Sequence, residues 1–197
     1  MKQIRAGVFE TNSSSTHSFC ISKEGFGLQN LPDKPPSMYL PLDEDYGWNQ
    51  GCYSTCFDKI NYLFTVMCNC GMTDEIKEFK HQLRIMGVKI THPHLYKVYQ
   101  YGYYKISGDV DHASEVKPFI RELLADSSKL KRFLFDPKSC IYTGNDNSNE
   151  QTDPCFVADA AESNGMVYVW DDDTGEDKKV KHPMYDPEHF EYYFKGN

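Results

Sequence analysis

The chain has 197 residues, 29 Asp and Glu against 21 Lys and Arg, and a formal net charge of −8. That length suits one domain whose core needs no metal or disulfide to hold it, and no stretch approaches the ~20 apolar residues that span a bilayer. Phosphate backbones repel such a charge, and outside Lys129-Leu130-Lys131-Arg132 the basic residues are scattered, so direct nucleic-acid binding is disfavoured.

The opening Met1-Lys2-Gln3-Ile4-Arg5 carries no apolar secretory core, and the seven cysteines, an odd number, read as reduced thiols, so a cytoplasmic location is expected. Residues 4–9 read as a strand, 10–16 as a polar turn-prone loop and 16–22 as a second strand, together a hairpin. Residues 25–51 are rich in Gly and Pro and read as a long irregular segment with one short strand near 38–42. Ile60, Leu63, Phe64 and Met67 recur at helical spacing, which predicts a helix over about 55–68. Cys52-x-x-x-Cys56 and Cys68-x-Cys70 flank it, ~18 Å apart at 1.5 Å per residue, and their spacings differ from the C-x-x-C knuckles of zinc ribbons.

Thr73 is the expected N-cap of a second helix carrying Ile76, Phe79, Leu83 and Met86 and closed by Gly87. Strands are expected at 88–90 and along the Tyr-rich stretch 95–106. A third helix over 114–125 has the clearest stripe, Val116, Phe119, Ile120, Leu123 and Leu124, with Pro118 near its first turn. Ser127 or Ser128 is expected to cap a short helix with Leu130, Phe133 and Leu134. A strand at 139–143, a loop over 144–154 and a hairpin of 166–170 with 178–181 follow, and the aromatic tail 187–194 reads as a short helix. Strands at both ends around central helices predict an α+β fold, one domain over 1–197 with a mixed or antiparallel sheet and three to four helices packed on it.

Two polar clusters can carry chemistry. In the first, Glu10 precedes seven consecutive hydroxyl, amide or imidazole side chains, Thr11 to His17. Glu10, Asn12, Ser14 and His17 are the candidate catalytic groups, with His17 as base and a serine as nucleophile; Thr11, Ser13, Ser15 and Thr16 are candidate ligand contacts in a nest of N–H groups. The same residues also suit a polar loop whose side chains bond to their own backbone. No phosphate-binding glycine loop and no G-x-S-x-G elbow is present. In the second cluster, Asp109, Asp111 and His112 are compatible ligands for a divalent cation, and Asn145 and Asp146 can complete a ligand site. The alternative there is a turn capped by Asp111 or Ser114 before the third helix. The run 171–177 lacks EF-hand spacing and reads as a solvated turn; with Asp43-Glu44-Asp45 it supplies an acidic surface.

The segment Gly7-Val8-Phe9-Glu10-Thr11-Asn12-Ser13-Ser14-Ser15-Thr16-His17-Ser18 resembles the opening of a family of uncharacterised proteins from bacteriophages and prophage-like regions of Gram-positive bacteria. Residues 108–114, then Phe133-Leu134-Phe135, then 139–147 are similar to later blocks of that family, with Ala113 standing where Gln is usual. The resemblance implies a mobile-element origin and a functional opening segment. Two readings result. One is an accessory protein that binds and inhibits or redirects a host protein, such as a defence nuclease in the manner of anti-CRISPR proteins, through its acidic loops and 14 tyrosines. The other is an enzyme or binder of a phosphorylated or nucleotide-like ligand; it requires the two clusters to lie within ~10 Å of each other at a common pocket. No particular cofactor is indicated.

Overall fold

The computed structural model describes residues 15–23, 37–47, 49–98, 100–145 and 151–195. Its first strand, β1 (Ser15–Ser22), is buried at all eight positions. Period-two alternation splits those residues between two environments. Phe19 and Ile21 enter the large core, whereas Cys20 lies on the opposite face of the sheet with Cys140 and Val157. The expected hairpin partner at 4–9 lies outside the described residues.

The described part of the irregular segment is built into the fold. Its two-residue strands β2 (Met38–Tyr39) and β3 (Asp45–Tyr46) flank Leu40 and Leu42, which are fully buried. After β4 (Gly51–Tyr53), helix α1 (Cys56–Asn69) starts at Thr55, whose hydroxyl accepts from Asp58 N at 3.1 Å. It is buried from Lys59 to Cys68, so polar Lys59, Asn61 and Thr65 are enclosed along with its apolar stripe.

Helix α2 (Thr73–Ile85) corrects the expected cap. Thr73 is already helical, Met72 is the N-cap, and the Thr73 hydroxyl bonds the Tyr104 hydroxyl at 3.0 Å instead. The strand expected at 88–90 is β5 (Ile90–Thr91), parallel to β2. The long strand expected over 95–106 is a hairpin of two short strands, β6 (Tyr96–Lys97) and β7 (Tyr104–Lys105). Gly102, at φ +78°, lets the chain reverse there, and its N–H bonds Val98 O at 2.8 Å.

β8 (Asp109–Val110) runs parallel to β3 and leads into α3 (Ala113–Ala125). His112 is the N-cap of α3 at φ +53° and no side chain caps it; Pro118 lies in the helix interior, beyond its first turn. Helix α4 (Ser127–Phe135) is capped by Asp126 rather than by a serine: the carboxylate accepts from Ser128 N and Lys129 N at 2.9 and 3.0 Å. Strand β9 (Cys140–Asn145) extends two residues into the expected loop, and a 3-10 turn (Pro154–Phe156) and α5 (Val157–Glu162) occupy the end of it and beyond. β10 (Met166–Asp171) and β11 (Glu176–Lys181) form the expected hairpin. The tail is a strand, β12 (Phe190–Lys195), and not a helix, because it pairs with β1.

The fold is α+β, with five α-helices among the described residues in place of three or four. A four-stranded antiparallel sheet of order β12-β1-β9-β4 places β1 in its interior. Residues of α1 to α4 share the large core with Phe19, Ile21 and Ile141 from one face of the sheet. Val157 of α5 packs on the other face.

Candidate functional site

Ser15 and His17 are two apart on β1 and therefore share its core-facing side with Phe19. Ser15 Oγ lies 2.8 Å from His17 Nε2, and His17 Nδ1 lies 2.6 Å from the Tyr62 hydroxyl on α1. All three residues are buried. At the outer end of this row Ser15 N donates to Asp111 Oδ2 at 3.1 Å, and its hydroxyl reaches Asp111 O at 3.5 Å. The two clusters expected from the sequence thus meet through Ser15 and Asp111.

The loop that carries Asp111 is fixed by three other elements. Asp111 N donates to Tyr46 O at 3.1 Å, Val110 N to Asn69 Oδ1 at 3.0 Å, and Gly108 N to Leu42 O at 2.7 Å. Gly47 makes the close approach possible: at φ +131°, a Cβ there would lie 2.8 Å from Ser15 Cβ and 3.1 Å from Asp111 Cβ. Tyr46 packs edge-on against Tyr62 at 5.0 Å, so the aromatic wall behind His17 and the Asp111 loop are held together.

The direction of the hydrogen bonds decides what this row can do. Burial pushes the Tyr62 phenol well above its ordinary range, so it keeps its proton. His17 Nδ1 is the acceptor within its reach, and a buried hydroxyl that fails to donate costs roughly 1–3 kcal/mol. With Tyr62 donating to Nδ1, Nε2 carries the ring proton and donates to Ser15 Oγ; with the ring proton on Nδ1, Nε2 accepts from Ser15 Oγ. In the first tautomer His17 cannot take the Ser15 proton; in the second it can. The row is a buried hydrogen-bonded relay that links Tyr62, His17 and Ser15. The Ser15 N–H is likewise occupied by a carboxylate, which takes the place an anionic ligand would need.

The remaining expected site residues divide as follows. Thr16 is buried on the opposite side of β1, by strand alternation. Asn145 is the direct cross-strand partner of Ser15. Asp109 is exposed and joins the site only through its backbone, which donates to Asp45 Oδ1 at 3.1 Å. His112 turns toward Glu115, at 3.2 Å, with Asp111 at 3.8 Å. Among the described residues no three carboxylate, imidazole or thiol groups converge as a metal site, Asp109, Asp111 and His112 included. Glu10, Thr11, Asn12, Ser13, Ser14 and Asp146 lie outside the described residues. Sequence reasoning missed Tyr62, Tyr46 and Gly47; the i, i+2 spacing of Ser15 and His17 on a strand was the available signal for their contact.

A second buried polar group sits at the other end of β1. Lys59 Nζ donates to Asp136 O and Ser139 O, both at 2.8 Å, and burial pulls its pKa down to about 8. Ser22 Oγ donates to the Asp136 carboxylate, and Ser22 N donates to Ser139 Oγ at 2.9 Å. These bonds satisfy the turn between α4 and β9.

A surface of different character lies around the β6–β7 hairpin. Tyr96 and Tyr101 are 66% and 67% exposed, Tyr101 stacks on Tyr103 at 5.9 Å, and His94 meets Tyr96 edge-on at 4.6 Å. Beside them a cavity of about 350 Å³ is lined by Pro41, Leu42, Pro93, Tyr96, Ile106, Ser107 and Lys105. Exposed Asp43, Glu44 and Asp45 follow directly on Leu42, and Asp109 is the register partner of Asp45. No family model, curated protein or solved structure matches the chain.

Proposed function

We propose that the chain is a non-catalytic accessory protein of mobile-element origin that binds and inhibits or redirects a host protein through the surface around β6 and β7. The observation that carries this reading is the exposed tyrosine cluster beside an apolar cleft. Tyrosine rings offer contact area with a polar tip at low entropic cost, and binding energy concentrates on such anchors. The exposed carboxylates of Asp43, Glu44, Asp45 and Asp109 follow closely in sequence on the cleft residues Leu42 and Ser107 and suit a partner with a basic rim. A nucleic-acid-binding effector, such as a defence nuclease, has that chemistry.

The test is affinity purification from bacterial lysate with mass spectrometry, followed by calorimetry on the recovered partner. Tyr96→Ala with Tyr101→Ala is expected to weaken binding at least tenfold, about 1.4 kcal/mol or more, while circular dichroism stays unchanged. Asp43→Lys with Asp45→Lys is expected to slow association and remove its salt dependence. Full binding by both variants, with loss on His17→Ala, sinks the proposal.

A second reading rests on the meeting of Ser15 with Asp111. The polar segment 10–17 then holds a phosphorylated or nucleotide-like ligand, with Asp111 yielding the Ser15 N–H on binding. Amide shifts at Ser15 and Asp111 on titration with ATP, strengthened by Asp111→Asn, would favour it over the first.

A further inference from the structure

The even-numbered face of β1 carries chemistry that the relay does not use. Cys20 and Cys140 are direct partners in the antiparallel β1–β9 register. Directly opposed residues in such a ladder have Cα atoms about 4.5 or 5.5 Å apart, and both spacings lie inside the ~4.4–6.8 Å that a disulfide spans. The two side chains sit in one small apolar cluster with Val157, bordered by Tyr142, Phe190 and Tyr192. They line a cavity of about 40 Å³ with Tyr142, Phe190 and Tyr192, and exposed Lys138 and Met184 stand at its rim. That volume admits one or two small molecules the size of water.

We propose that Cys20 and Cys140 form a hydroperoxide-reactive dithiol that closes to a cross-strand disulfide. The Cys140 sulfur is the site of attack. Cys20 donates its S–H to Cys140, and hydrogen bonding from Tyr142 and the nearby charge of Lys59 also hold Cys140 below the usual thiol range, while Cys20 is pushed above it. In the first step the Cys140 thiolate attacks one peroxide oxygen, the O–O bond breaks, and Cys140 sulfenic acid and hydroxide form. In the second the Cys20 sulfur attacks the sulfenic sulfur, the S–O bond breaks, and its oxygen leaves as water. Two thiols and one H2O2 give one disulfide and two waters. The narrow cleft suits a small oxidant such as H2O2 better than one as bulky as glutathione disulfide. Cys52, on the same sheet face, is exposed and opposes Tyr142 on β9. That places it diagonal to Cys140, about 7–8 Å away, too far to bridge.

The experiment uses the full chain, reduced, with one equivalent of H2O2, followed by alkylation, digestion and mass spectrometry. The expected result is loss of two of the seven thiols and recovery of a Cys20–Cys140 linked peptide. Cys20→Ser is expected to leave a dimedone-reactive sulfenic acid on Cys140. Glutathione disulfide is expected to label Cys52 and leave the pair reduced. Oxidation confined to Cys52, with Cys20 and Cys140 still alkylated after unfolding, overturns the dithiol. A glutathione adduct on Cys140 as abundant as that on Cys52 overturns the size selection. The central readouts come from the unsubstituted protein and do not depend on a variant folding.

Discussion

Tyr62 has a single proton to give, and where it goes sets the tautomer of His17. With Tyr62 O–H on Nδ1, long-range 15N–1H spectra should show the His17 proton on Nε2. A proton found on Nδ1 would reverse the row and restore Ser15 as a nucleophile. Tyr62→Phe removes the donor from a fully buried acceptor, so a loss of roughly 1–3 kcal/mol in denaturant unfolding is expected. Lys59 gives a pH signature of a different kind. Its folded pKa of about 8 lies below the ordinary lysine value of 10.5, so between those pH values the unfolded chain binds the extra proton. Stability contributed at this site therefore rises as pH rises from about 8 to 10.5. The neutral amine keeps two N–H groups, enough for the carbonyls of Asp136 and Ser139. Comparing the chain with Lys59→Met across that range isolates the effect from the cysteines and tyrosines that titrate there too, and a relative gain on the order of 3 kcal/mol is expected, at ~1.36 kcal/mol per pKa unit.

At the scale of single elements, local pattern and tertiary contact part company. The stripes of α1 and α3 were legible because a buried face repeats every three to four residues. The cap of α4 was not: Asp126 stands one residue before the favoured serines, and only the paired bonds to Ser128 N and Lys129 N distinguish them. Asp126→Ala is expected to lower the melting temperature, because it removes both cap bonds, while Ser127→Ala leaves the α4 cap intact. The residues of β12 invite a helical as well as a strand period, and the partner that decides for a strand, β1, is remote in sequence. The candidate site divides the same way. Ser15 and His17 share a strand face by alternation, which is local. Asp111 reaches Ser15 only because β3 and β8, 64 residues apart in sequence, pair in parallel. No short-range signal encodes that pairing. Gly47 makes the junction: Gly47→Ala meets both Ser15 and Asp111 at an unfavourable φ and is expected to destabilise the fold by more than the ~1 kcal/mol that a glycine at positive φ is worth alone.

For the whole molecule, the sheet is closed by its most distant strands. β12 covers one edge of β1, from His17 opposite Lys195 to Ser22 opposite Phe190. Glu191 adds ion pairs to Lys129 at 2.9 Å and Arg132 at 3.5 Å on α4. Removing residues 187–197 would therefore expose a fully buried strand along an open hydrogen-bonding edge and strip α4 of these partners. An open, flat, apolar edge is a template for pairing with other chains. The truncated chain is expected to elute as soluble aggregates in size-exclusion chromatography and to lose its cooperative thermal transition. Phe190→Ala in the complete chain removes packing but keeps the ladder, so it should remain cooperative and melt a few degrees lower. A truncated chain that stayed monomeric with an unchanged melting temperature would mean that β1 holds its place, and the relay its geometry, through β9 and the helices alone. Short of that result, the strand that carries His17 depends on its pairing with β12.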